Sequence, residues 1–137
     1  MRVHVLDANA LYRFMTKGDG FETVRDVFKQ AREADLHVMM SVVAWGEVYY
    51  TLVKRFGIAR TENMMAQTTQ ITGLHLVPVD EADARKAAEL KAKYNIPYAD
   101  AFTAALTGSQ HVVVTADFEH FGRIPKLRIL KLPPHKN

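Results

Sequence analysis

Cysteine is absent from the 137 residues, which removes disulfides, thiolate metal ligands and cysteine nucleophiles together. No apolar run approaches the roughly 20 residues needed to cross a bilayer. The N-terminus enters Val3-His4-Val5-Leu6 and meets Asp7 without the basic segment, apolar stretch and cleavage site of a secretory leader. A cytoplasmic chain with no membrane association is the expectation. Repeats, linkers and low-complexity stretches are missing too, so a single domain over residues 1–132 is expected, with a short disordered tail over 133–137. Strong charge of either sign is also lacking. Eighteen Lys and Arg against fifteen Asp and Glu leave +3, compatible with a phosphate-rich partner without requiring one.

What is present is ordinary globular material, 48% apolar and 24% charged, in which short Val- and Leu-rich runs alternate with helical patterns. Val3 to Leu6 reads as a strand. Phe21, Val24, Val27, Phe28 and Ala31 give a helix over about 20–34. Leu36 to Ser41 reads as a second strand, running into an apolar helix over 42–55. A further helix covers about 59–72, with Gly73 as its stop. Leu74 to Val77 is a third strand. Asp80 and Asp83 predict a capped helix to Tyr94. Pro97 opens a helix over 98–107, Val112 to Thr115 is a fourth strand and Leu127 to Leu130 a fifth. Continuously apolar strands separated by helices imply a parallel sheet covered on both faces. Sites in such sheets form beyond the carboxyl ends of the strands.

Eleven of the fifteen acids lie in polar or mixed-charge stretches and read as caps, loops or solvated helix faces. Asp7, Glu47 and Asp100 do not. Asp7 is the only full charge between Arg2 and Arg13, and Glu47 the only one between His37 and Lys54. Asp100 is the only acid or strong base between Lys93 and Asp117. Burying an unpaired carboxylate costs several kcal/mol or forces protonation, and no lysine or arginine lies near in these segments. A divalent cation would satisfy all three. Asp117 joins them because it leaves the fourth strand as Asp7 leaves the first. Glu119, two residues on, is the residue that would share or take its role.

These residues, in this order, resemble the PIN-domain family, above all its small bacterial and archaeal toxin ribonucleases of the VapC type. The matching pieces are Val5-Leu6-Asp7-Ala8-Asn9, Ser41-Val42-Val43-Ala44-Trp45-Gly46-Glu47, Ile96-Pro97-Tyr98-Ala99-Asp100-Ala101 and Val114-Thr115-Ala116-Asp117-Phe118-Glu119. The likeness runs from about Val3 to Leu130. It implies a PIN-like three-layer α/β fold, a parallel sheet of order 3-2-1-4-5 flanked by helices, and a homodimer. It implies an RNA-cleaving site of Asp7, Glu47, Asp100 and Asp117, with Asn9 and Thr115 at positions where the family often places small polar residues. A type II toxin would also have a small antitoxin partner, inserting a basic side chain into the acidic groove.

An all-oxygen site suits Mg2+ or Mn2+, with Asp7 and Asp100 as direct ligands and Glu47 and Asp117 completing the coordination or orienting a water. His37, His75 and His111 fall at the amino ends of strands, opposite the site. His4 reads as a satisfied core histidine, and His120 is the histidine within reach of substrate. Arg13, Lys17, Arg55, Arg60 and Arg123 are solvated cations that would line an RNA approach. Tyr12, Trp45, Tyr49 and Tyr98 suit packing as well as base stacking, with Trp45 assigned to the core or a dimer interface. Phosphatases of the haloacid dehalogenase class need an acid where Asn9 stands, and receiver domains need an acidic pair in the first loop, so both rank below. The alternative from another class is a non-catalytic, metal-binding RNA adaptor or regulatory protein of the same fold.

Overall fold

The computed structural model describes residues 2–133. In chain order the elements are β1 Arg2–Leu6, α1 Ala8–Thr16, α2 Phe21–Glu33, β2 Leu36–Ser41, α3 Val42–Phe56 and α4 Ile58–Thr68. They continue with β3 Leu74–Val77, α5 Glu81–Tyr94, α6 Tyr98–Leu106, β4 Val112–Thr115, α7 Phe118–Phe121 and β5 Arg128–Lys131. The sheet runs β3-β2-β1-β4-β5, and every pairing is parallel. No described helix is long and apolar enough to cross a membrane.

In the three central strands, side chains alternate between two covered faces. Leu6 is in register with Met40 and Val114, and these three face the core formed with Leu11, Val24, Phe28, Val48 and Leu52 from α1, α2 and α3. Val113 and Ile129, paired across β4 and β5, face the other way, toward Ala104 of α6 and Phe121 of α7. Removing a buried side chain such as Leu6 would cost about 2–5 kcal/mol. That packing holds the two central strands, and whatever follows them, in fixed relation.

Several elements differ from the sequence expectation. α1 was not foreseen, because it starts one residue after a strand, has no acid in its first turn and stops without a glycine. Lys17 closes it in the left-handed region at φ 53°, with the Gly18 N–H on the Arg13 carbonyl at 2.8 Å. The four-residue α7 was not foreseen either, and β5 lies one residue later than expected. α4 ends at Thr68 rather than at Gly73: the Thr68 and Thr69 hydroxyls bond back to the Met65 and Ala66 carbonyls. Gly73 instead enters β3 at φ +86°, where an added Cβ would sit 2.8 Å from that of Ala31. The Pro133 carbonyl accepts a hydrogen bond from Arg13; the rest of the expected tail, 134–137, lies outside the described residues.

Candidate active site

Asp7 and Asp117 leave adjacent parallel strands. The Asp7 N–H reaches the Val114 carbonyl at 3.4 Å, so the two aspartates emerge at one edge of the sheet. Both also cap helices, Asp7 at α1 and Asp117 at α7. Asp7 Oδ1 accepts from the Ala10 N–H at 2.8 Å, and Asp117 Oδ1 accepts from the His120 N–H at 3.0 Å. Capping uses one oxygen of each and leaves the other directed elsewhere. Thr115 links the pair, its hydroxyl donating to Asp7 Oδ2 at 2.5 Å and accepting from the Asp117 N–H at 2.8 Å.

Glu47 comes from the second turn of α3, which Ser41 starts at the end of β2 by accepting from the Val43 N–H. Asp100 sits in the first turn of α6, after Pro97. The packing of α6 against α5 and α3 carries it to the same edge, a placement that chain order alone does not reveal. The result is a cleft of about 430 Å³ whose lining includes Asp7, Asn9, Glu47, Asp100 and Asp117.

Crowding and burial leave a clear electrostatic signature. Asp7 is 2% exposed; burial pushes its carboxyl up to about 6 against the pull of the Thr115 and Ala10 hydrogen bonds, with Asp117 and Glu47 adding to the rise. Asp100 is pushed up to about 7, chiefly by burial and then by the charges of Asp7, Asp117 and Glu47. Burial also raises Glu47. Asp117 goes the other way. Burial would raise it, but hydrogen bonds and charge from His120, with a hydrogen bond from Asp100, hold it below the ordinary carboxylate range.

Among the described residues, neither lysine nor arginine forms an ion pair with Asp7, Glu47, Asp100 or Asp117. Arg13 touches the cleft, yet it is 2% exposed and its guanidinium donates to the carbonyls of Asp19 and Pro133. Its expected role as a solvated phosphate contact is therefore corrected: it is a buried clamp between α1 and the end of the chain. The Asn9 side-chain oxygen is buried without a partner and lines the cleft. Four carboxylates and an unsatisfied amide oxygen, with no lysine or arginine paired to the acids among the described residues, fit a hard divalent ion. Asp100, Asp117 and His120 each bring one donor atom within 4.8 Å of the others.

Other expectations shift. Glu119 pairs with Arg123 at 3.3 Å on an exposed face and is absent from the cleft. Arg123 also donates to the Asn95 carbonyl at 2.6 Å, which ties α7 to the loop before α6 instead of leaving it free for RNA. His4 is half-buried with Nδ1 unpartnered, not a satisfied core residue. His37 and His75 stack with centroids 5.6 Å apart. Trp45 packs half-buried on the core against Tyr49 and donates to Thr68 at 3.3 Å. His120, which the sequence put within reach of substrate, contacts a site carboxylate directly: its Nδ1 lies 2.6 Å from Asp117 Oδ2. The i,i+3 spacing was the available signal, but it becomes meaningful only once α7 exists.

Comparison with known proteins agrees with this architecture. The protein-family profile described as PIN domain matches residues 4–127. Similar solved structures include VapBC2 of Rickettsia felis bound to a DNA fragment from its promoter, at 16% identity and TM-score 0.72 over 94% of this chain and 98% of that one. DNA-bound VapBC of Salmonella typhimurium matches at 22% and 0.71 over 96% and 98%. VapC20 of Mycobacterium tuberculosis, a sarcin–ricin loop cleaving toxin, matches at 18% and 0.59 over 75% and 79%. No curated protein sequence matches. At such identities the structures share a fold, whereas the profile spans nearly all of the sequence, and on that ground the chain belongs to the PIN-domain family.

Proposed function

We propose that this protein is a divalent-metal-dependent endoribonuclease, and the toxin of a type II toxin–antitoxin pair. The observation that carries the enzymatic reading is the cleft itself. Four carboxylates converge there with no lysine or arginine paired to them among the described residues, an arrangement that is costly unless a bound cation compensates it. The toxin assignment draws on the VapBC and VapC proteins that share the fold.

Asp7 and Asp100 would hold the ion, with Glu47 and Asp117 completing its shell or orienting the attacking water. When bound, Mg2+ or Mn2+ neutralises charge developing on the scissile phosphate and acidifies a coordinated water. Thr115 fixes Asp7 and Asp117 relative to one another, so two of the donors are set before any ligand arrives. Asn9 offers its unpartnered oxygen to a bound water or its amide N–H to a phosphate oxygen. A second depression shares Ala8, Asn9 and Glu47 with the cleft and runs to Tyr12, whose hydroxyl accepts from Arg55 at 3.1 Å. RNA phosphates would follow that line toward Arg55 and Arg60.

The expected partners are RNA, a second copy of the chain, and an antitoxin that closes the groove with a basic side chain. All would meet it in the cytoplasm. The test compares RNA cleavage with added Mg2+ or Mn2+ by wild type, Asp7→Asn and Asp100→Asn. At least a hundredfold loss in both variants is expected. Equal residual cleavage in all three would mean contamination, and metal binding without any cleavage would favour the adaptor reading. Growth arrest on expression, relieved by the adjacent gene, tests the toxin assignment separately.

A further inference from the structure

We propose that His120 gives a ring nitrogen to the cation at this site, which makes it a mixed nitrogen–oxygen site that selects Mn2+ over Mg2+. The inference rests on the metal-dependent reading above and adds a ligand type that the carboxylates alone do not provide. Its basis is position. One donor atom each from Asp100, Asp117 and His120 lies within 4.8 Å of the others. Donors held at about 2.1 Å from one ion sit roughly 3 Å apart when adjacent and roughly 4.2 Å apart when opposite, so the three have at most about 0.6 Å to close to share a single shell.

The ring is also held in place. α7 is anchored by Phe121, which is fully buried. Gly122 follows it so closely that an added Cβ would lie 2.5 Å from the Phe118 carbonyl. The His120 N–H is fixed on Asp117 Oδ1, and Nδ1 lies 2.6 Å from Asp117 Oδ2. That contact needs one proton between the two atoms. A cation taking the place of that proton would have Nδ1 and Oδ2 as neighbouring donors, their 2.6 Å separation being close to the roughly 3 Å of adjacent ligands on one ion.

The chemical consequence is selectivity. Mg2+ demands oxygen donors and gives up water reluctantly, whereas Mn2+ accepts imidazole beside carboxylates. The experiment is calorimetric titration of metal-free wild type, His120→Asn and His120→Ala with Mg2+ and with Mn2+, alongside pulsed electron paramagnetic resonance of the Mn2+-loaded proteins. Wild type should show coupling of Mn2+ to a nitrogen nucleus that both variants lack. Mn2+ affinity should weaken roughly tenfold in the variants, while Mg2+ affinity moves less than about threefold. Absence of nitrogen coupling in wild type, or an equal loss for both ions, would overturn the proposal while leaving a carboxylate metal site standing. If wild type bound neither ion, the metal-dependent reading would fall with it. Should a variant misfold, the wild-type resonance spectrum still decides.

Discussion

Asp100 carries its burial as a liability that a pH series can read. Its carboxyl, held near 7 in the folded chain, sits far above its value in an unfolded one. The folded state therefore binds that proton more tightly, and stability is lost as pH rises from about 4 to about 7. The Asp100 side chain is half-buried, so the penalty above pH 7 is discounted for solvent screening to about 1–2 kcal/mol. Asp100→Asn should raise the metal-free melting temperature at pH 7.5 by about 5 °C and leave it nearly unchanged at pH 4, as measured by circular dichroism in chelator. A flat difference across that range would show that the cluster is not strained. If Asp100 holds the ion as proposed, saturating Mn2+ should reverse the order at pH 7.5, because the variant would lack that charged ligand. Asp7, Glu47 and Asp100 were legible beforehand because a charge amid apolar neighbours is visible in one dimension. Arg13 was misread for the complementary reason: without α1 in view, a charged residue in a short connecting stretch looks solvated. His120 needed α7 before its distance to Asp117 meant anything.

Elements announced by their own chemistry were the ones most readable. Asp80 and Asp83 form the reciprocal capping box their spacing implied, each side chain accepting from the other's backbone N–H at 2.9 and 3.1 Å. α1 and α7 carry no such marker, since their caps are Asp7 and Asp117, whose type and position equally suit a loop acid. Gly73 was assigned to the end of α4 because a glycine after a helical pattern is an ordinary stop, yet its real constraint is non-local. Asp80→Ala should cost about 1 kcal/mol, a fall of roughly 3–5 °C in melting temperature, with cleavage unchanged since α5 brings no residue to the cleft. Gly73→Ala should cost more than its small size suggests. It combines positive φ with a 2.8 Å approach to Ala31, and a loss of roughly 2 kcal/mol in urea unfolding is expected. A loss below about 0.5 kcal/mol would show that the β3 entrance relaxes freely.

At the scale of the whole molecule, alternating apolar strands and helices were enough to indicate a parallel sheet, but the order 3-2-1-4-5 came through resemblance, since periodicity does not say which strands are neighbours. That order matters because it sets β1 beside β4 and so gathers acids more than a hundred residues apart in the chain. The same gathering poses a problem for an RNA substrate, since a cleft of uncompensated carboxylates repels phosphate until a cation fills it. The net charge of +3 must then act from outside the cleft. Arg55 and Arg60, exposed and stacked on Phe56 with centroid distances of 4.8 and 4.3 Å, lie at the α3–α4 junction beyond Tyr12. Each phosphate they neutralise would release counterions on binding. Arg55→Gln, placed in an Asp7→Asn background so that RNA survives, should weaken single-stranded RNA binding and lower the slope of log affinity against log salt by about 0.7. Fluorescence anisotropy at several salt concentrations measures both. An unchanged slope would move the RNA path to another side of the cleft, because a contact that neutralises no phosphate cannot alter how many counterions are displaced.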